Sequence, residues 1–269
     1  MKTMRAARTT LLSAIIASLA ACATSPLGRK QLIMVPDAQM SALGEQAFTQ
    51  MKSETPIERD PVMNAYVQCV AGPLAETAKG RPGAADRWEV VVFRDESANA
   101  FALPGGKIGV HTGLLKVAKT PDQLAAVIGH EIGHVIAKHG AERVSQSLAA
   151  QGGVAVLNEA LGGKSANRQQ VLGALVTVGF LLPFSRTQES ESDVIGLELM
   201  AKAGFDPRAS VELWQNMKAA SGSAPPEFLS THPASDTRIS RLQENMAPAQ
   251  QEFAKARADG KNPRCAVPR

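Results

Sequence analysis

The chain has 269 residues, 44% hydrophobic and 20% charged, which suits one or two domains around a sizeable core. Its net charge of +4 is concentrated at the start: without residues 1–21, 26 basic side chains face 25 acidic ones, a balance of +1. So neutral a remainder lacks the basic footprint of a nucleic-acid binder, and no nucleic-acid partner is expected.

Lys2, Arg5 and Arg8 precede the apolar run LLSAIIASLAAC, and residues 1–21 read as a signal peptide with a basic n-region. Leu19-Ala20-Ala21-Cys22 looks like a bacterial lipobox, whose cysteine is acylated and becomes the new N-terminus. The alternative is an ordinary secretory signal followed by an incidental cysteine. Polar, turn-forming residues come next (ATSPLG), so 22–35 is expected to be a tether. Several acyl chains at Cys22 would hold the protein on a membrane without spanning it. Ala23, where some sorted lipoproteins carry aspartate, is similar to lipoproteins of the outer membrane, so the expected location is its periplasmic face. In that oxidising compartment Cys69 and Cys265 are expected to pair, pinning a C-terminal tail, 248–269, to the early helical region.

No repeat of 20–50 residues appears. Met40, Leu43, Ala47, Phe48 and Met51 have helical spacing, and a second helix is expected after Asp60-Pro61, interrupted near Gly72-Pro73. WEVVVF (88–93) reads as a strand, and AFALPGGKIGVHTG as a hairpin turning at Gly105-Gly106. Thr120, Pro121 and Gln123 then form a helix start, with Gln123 completing a capping box, before a buried helix through Ile136. Residues 152–170, rich in Gly, Ser, Asn and Gln, read as a mobile excursion. The apolar run 171–184 is too short to cross a bilayer of ~30 Å, and reads as a core helix or as an element facing a membrane or covering a site. Further helices are expected from Arg186 to Ala203, after Asp206-Pro207, from Ser235, and in the charged tail.

Inside the strongest helix sits HEIGH, 130–134. Four residues turn an α-helix by about 400°, which leaves His130 and His134 on one face. Two neutral imidazoles so placed make two corners of a tetrahedral zinc site, and Glu131 reaches the water position beside it as general base. A third ligand is needed. His139 lies nine residues on, about 900° of rotation from His130, and is expected to face away; His111, in the hairpin, is expected to be exposed. In TQESESD (187–193), Glu189 and Asp193 share a helical face, while Glu191 points elsewhere and is expected to be wet. One of the pair would bind metal and the other hold a histidine N–H, and geometry does not rank them.

HEIGHVIAKH, SRTQESESDVIG and STHPASDTRISRL, in that order, resemble the zinc metallopeptidases of the HtpX and CAAX-prenyl-protease family, especially its lipid-anchored periplasmic branch. The resemblance runs from about Gly28 to Leu242. It implies an α+β, mainly helical gluzincin fold over 36–247, with a small sheet beside the HExxH helix. It implies one Zn2+ held by His130, His134 and Glu189, Glu131 as base, and Asp193 supporting a zinc histidine. Ser192 stands where the family usually has alanine. His232, in the family's THP motif, would either stabilise the oxyanion or bind zinc in a resting state; Tyr66 is a weaker stabiliser. Arg238 has a counterpart in the family, with no single role implied. SANAFALPGG resembles the family's edge strand, so Asn99, Ala100 and Phe101 would lie where an extended peptide adds as a strand, although plain sheet packing accounts for Phe101 and Leu103. The function implied is a metalloendopeptidase acting on misfolded or stalled envelope proteins. The alternative is a chaperone-like assembly factor with latent, substrate-gated proteolysis.

Overall fold

The computed structural model describes residues 22–151, 168–220, 227–233 and 236–268; the expected signal peptide and nearly all of the expected mobile excursion lie outside them. Two short strands, β1 (Cys22–Thr24) and β2 (Lys30–Leu32), form an antiparallel hairpin. Helices α1 (Asp37–Glu54) and α2 (Pro61–Ala78) follow, then β3 (Glu89–Phe93), β4 (Ala100–Leu103) and β5 (Lys107–His111). The HEIGH helix is α3 (Pro121–Ile136), followed by α4 (His139–Gln151), α5 (Arg168–Val176) and α6 (Arg186–Lys202). Helices α7 (Ala209–Ala220), α8 (Glu227–Thr231), α9 (Asp236–Glu244) and α10 (Met246–Ala258) complete the chain. The architecture is α+β, mainly helical, with a small sheet.

Four expectations change. Residues 22–35, expected as a tether, fold into the hairpin and pack onto the domain. In the turn Ser25-Pro26-Leu27-Gly28, proline presets the first central position and Gly28 takes φ +89°, which a side chain would strain. Helix α2 also runs unbroken through Pro73, because Val67, Val70, Ala71, Leu74 and Ala78 keep its buried stripe continuous on both sides. The start of α3 lacks a reciprocal capping box: Thr120 caps Gln123 N, but Gln123 Oε1 accepts from Lys119 N instead. The apolar run 171–184 divides into α5, a π-helical turn (Thr177–Leu181) and an extended exit; Leu175 and Val176 are buried while Leu181 and Leu182 are exposed. Among the described residues no single helix is long and apolar enough to cross a membrane.

The sheet has order β3-β5-β4, with β4 antiparallel to β5 through the Gly105-Gly106 turn, so β4 is an edge strand. Helix α3 packs on β4 by one side and on α6 by another. The α3–α6 crossing is close because small residues line it. A Cβ on Gly133 would come within 2.7 Å of Ser192 Oγ, and one on Gly196 within 2.7 Å of His130 N. Ser192 also donates to the His130 carbonyl, so it serves the crossing and not the ligand cluster. That approach brings the downstream carboxylates within reach of the HEIGH histidines.

Cys69 on α2 and Cys265, beyond α10, form a disulfide across a sequence separation of 196 residues. Loop-closure entropy sets a ceiling of about 5 kcal/mol on its contribution. Cys265→Ser is therefore expected to lower the melting temperature clearly, read by calorimetry, without changing metal content; an unchanged melting temperature would show the tail to be energetically passive.

Candidate active site

His130, Glu131 and His134 on α3, Glu189 in the first turn of α6, and His232 just after α8 are each less than 5% exposed. Their polar atoms converge. His130 Nε2 lies 3.0 Å from His134 Nε2 and 3.2 Å from His232 Nδ1. Glu189 Oε1 lies 2.9 Å from His232 Nδ1 and 3.4 Å from His134 Nε2, and Glu189 Oε2 is 3.5 Å from His130 Nε2. One ligand atom from each of these four residues lies within 4.8 Å of all the others. Ligands at 2.0–2.1 Å from a tetrahedral zinc are about 3.3 Å apart, so these edges fit such an ion.

The outer nitrogens of both histidines are occupied in a way that fixes the inner ones. Carboxylates only accept, so His130 Nδ1–H donates to Asp193 Oδ1 at 2.9 Å and leaves Nε2 with its lone pair facing the cluster. Arg238 in turn holds Asp193 through Nε and Nη2, both at 2.7 Å, and reaches Glu189 Oε2 with Nη1 at 2.7 Å. Its guanidinium lies 3.8 Å over the Trp214 ring, which buries it. His134 Nδ1 meets His139 Nδ1 at 2.9 Å, and His139 Nε2 meets Glu191 Oε2 at 3.1 Å. With both rings neutral and their outer nitrogens carrying the protons, the two Nε2 lone pairs, 3.0 Å apart, suit a cation held between them.

The electrostatics follow from burial against these partners. Burial pushes the Glu189 carboxyl up, but His232 and Arg238 outweigh it and hold it well below the carboxylate range. Asp193 is lowered by Arg238 and His130 in spite of its burial. Burial dominates at Glu131 and raises its pKa against the pull of His232 and His130, in the direction a general base requires. Glu131 Oε1 is buried without a hydrogen bond, with His232 Nε2 3.3 Å away. The Ala102 amide, on the free edge of β4, lies close enough to the Glu131 carboxylate to draw its pKa down slightly, so that edge faces Glu131.

Two expectations are corrected at the back of the site. His139 does not continue the rotation of α3: that helix ends at Ile136, Lys138 takes φ 55°, and a new helix begins, turning the imidazole back onto His134. It is fully buried. Glu191 is likewise not wet but 4% exposed, held between His139 and Arg29 and lowered to about 2, its burial being outweighed by His139, Ser25 and Arg29. Its helical angle nevertheless turns Glu191 away from the His130–His134–Glu189 cluster, toward His139 and Arg29. His111 is only half-buried, bonds Ser97 Oγ and stays outside the cluster, while Tyr66 sits in the core with Asp122 as its charged neighbour. Sequence reasoning missed Phe184 and Phe228, whose rings lie 4.1 Å from His134 and 4.5 Å from His232. It also missed Arg29 and Glu142, for which no local pattern existed. Of the edge-strand residues, Asn99 bonds the Ala100 amide, Ala100 is buried, and the Phe101 ring packs with Phe48 and Phe93. A cavity of about 140 Å³ opens beside His134, lined by Met40, Ala102, Val135, Phe180 and Phe184.

A helix-borne HExxH pair joined by a glutamate from a later helix defines a gluzincin-type metallopeptidase site. The sequence agrees over most of the domain: residues 60–246 match the model of peptidase family M48, and the chain belongs to that family. It is 43% identical over 166 residues to the mitochondrial metalloendopeptidase OMA1 of Schizosaccharomyces pombe, covering 61% of this chain and 48% of that protein. To the OMA1 of Arabidopsis thaliana it is 34% identical over 212 residues, 77% of this chain and 41% of the other. The beta-barrel assembly-enhancing protease of Yersinia pestis is 30% identical over 210 residues, 75% of this chain and 43% of the relative. The chain thus spans about half or less of the length of these curated relatives.

Proposed function

We propose that this protein is a zinc metalloendopeptidase, acylated at Cys22 on the periplasmic face of the outer membrane, that cleaves misfolded or stalled envelope proteins. The observation that carries the catalytic part is the convergence of buried ligand atoms from His130, His134, Glu189 and His232, with Glu131 alongside. His130 Nε2, His134 Nε2 and a Glu189 oxygen would hold one zinc. When bound, the ion supplies Lewis-acid polarisation of the scissile carbonyl and lowers the pKa of water. An extended substrate would add to the free edge of β4, where Glu131 takes the proton of the attacking water and returns it to the leaving amine nitrogen. The cavity beside His134 suits an apolar side chain of that substrate. The lipobox and the relatives named for beta-barrel assembly support an envelope role, while other relatives are mitochondrial.

One observation favours a gated version of this activity. The candidate ligands are covered: Phe184 lies against His134, its amide bonds the Thr231 carbonyl, and His232 fills the fourth corner. A carbonyl reaches the site only when His232 and its loop withdraw, which fits a latent protease acting beside an assembly function. His232→Ala is expected to retain zinc and to raise hydrolysis of an unfolded protein several-fold. A fall of about 10²–10³ would instead assign His232 to the oxyanion, and unchanged turnover would place it outside the mechanism.

A further inference from the structure

The family match begins at residue 60, yet the hydrogen-bond chain behind His134 leaves that region and ends on the N-terminal hairpin. Glu191 Oε2 accepts from Arg29 Nε at 3.0 Å as well as from His139. Both terminal nitrogens of Arg29 reach Glu142, at 2.6 and 2.7 Å, in a forked pair. Glu142 also accepts from Gln188, on the first turn of the helix that carries Glu189. Gln31, on β2, donates to the carbonyl of Ala137, the residue closing the HEIGH helix, at 2.7 Å. The hairpin is therefore bonded to both helices that supply ligands.

We propose that Arg29 and Glu191, acting through His139, are positioning residues for His134, so that the N-terminal hairpin is part of the metal site. The inference rests on the zinc reading above. Its basis is the direction of each bond. Glu191 can only accept, so His139 donates from Nε2. A neutral His139 then has its lone pair on Nδ1, facing His134 Nδ1, which must be the donor. His134 is left with its lone pair on Nε2, toward the ligand cluster. Removing the Glu191 acceptor frees His139 to carry its proton on Nδ1, where it donates to His134 and moves that ring's proton to Nε2, on the metal side. Arg29 holds Glu191 in place, and Pro26 and Gly28 shape the turn that presents Arg29. The arrangement mirrors the one behind His130, where Arg238 holds Asp193; the two differ in that Arg29 comes from before the matched domain.

The test measures zinc affinity of the purified full chain by competition with a chromophoric chelator, and the visible absorption of its cobalt-substituted form. Arg29→Met and Glu191→Leu are each expected to weaken zinc binding about 10–100-fold and to alter the cobalt bands. Glu191→Gln, which keeps an acceptor oxygen, should recover most of the affinity. Glu198→Gln, on the same helix as Glu191 and breaking only the ion pairs with Arg81 and Lys202, serves as the control and should leave affinity unchanged. Melting temperatures of the metal-free proteins separate binding from folding. Arg29→Met and Glu191→Leu proteins that melt lower but keep wild-type affinity and cobalt bands would overturn the proposal alone. A wild-type chain that binds no zinc would overturn the metal reading and this inference with it.

Discussion

Glu131→Gln is expected to lower hydrolysis of an unfolded protein by about 10²–10⁴ or more while metal content and fold remain. The amide keeps the volume, so the packing of α3 on β4 survives. What disappears is a proton acceptor that burial has tuned upward, beside the cluster and within 3.3 Å of His232. Because Glu131 lies about 100° around the helix from His130, its loss should not open the ligand set. Parallel assays of zinc content and casein digestion check this. Wild-type and Gln proteins with equal turnover would remove Glu131 from the chemistry. If both were inert and the Gln variant still rescued envelope defects in cells, the assembly reading would stand instead.

Arg238→Leu should have the largest effect on stability. The residue is 2% exposed, and its guanidinium holds two buried carboxylates, Asp193 and Glu189, while lying over Trp214. Truncating one partner of such a buried set costs about 3–5 kcal/mol, because the remaining charges lose their counterion. For a domain of this size the expected fall in melting temperature of the metal-free protein is on the order of 10 °C. Adding Asp193→Asn should recover part of that loss, since it removes one stranded charge. A melting temperature unchanged by Arg238→Leu would mean the clamp seen here does not hold the folded site together.

The legible part of the site was the part written in helical spacing. HEIGH places two histidines by rotation alone, and Glu189 and Asp193 share a face for the same reason. Only the family resemblance separates those two carboxylates, which rotation does not. Spacing fails where the helix stops: nothing in VIAKHG announces that Lys138 adopts a left-handed conformation, so helical rotation misplaces His139, which lies past the helix end. Glu191 is illegible for want of its partners, since a carboxylate facing away from one cluster reads as solvated unless its counterion is known. That counterion, Arg29, is 162 residues away in sequence. SPLGR looked like a tether because turn-forming residues are common to linkers and to tight hairpins, and only packing distinguishes the two. Pro73 misled in the opposite way, a breaker tolerated because a buried stripe continues past it.

The central claim is that one zinc sits between His130, His134 and Glu189. Crystals of the zinc-loaded protein, measured on both sides of the zinc absorption edge, test it most directly. We expect one anomalous peak per chain, about 2.0–2.2 Å from His130 Nε2, His134 Nε2 and a Glu189 oxygen. No peak at that position, or a peak whose ligands exclude Glu189, would contradict it.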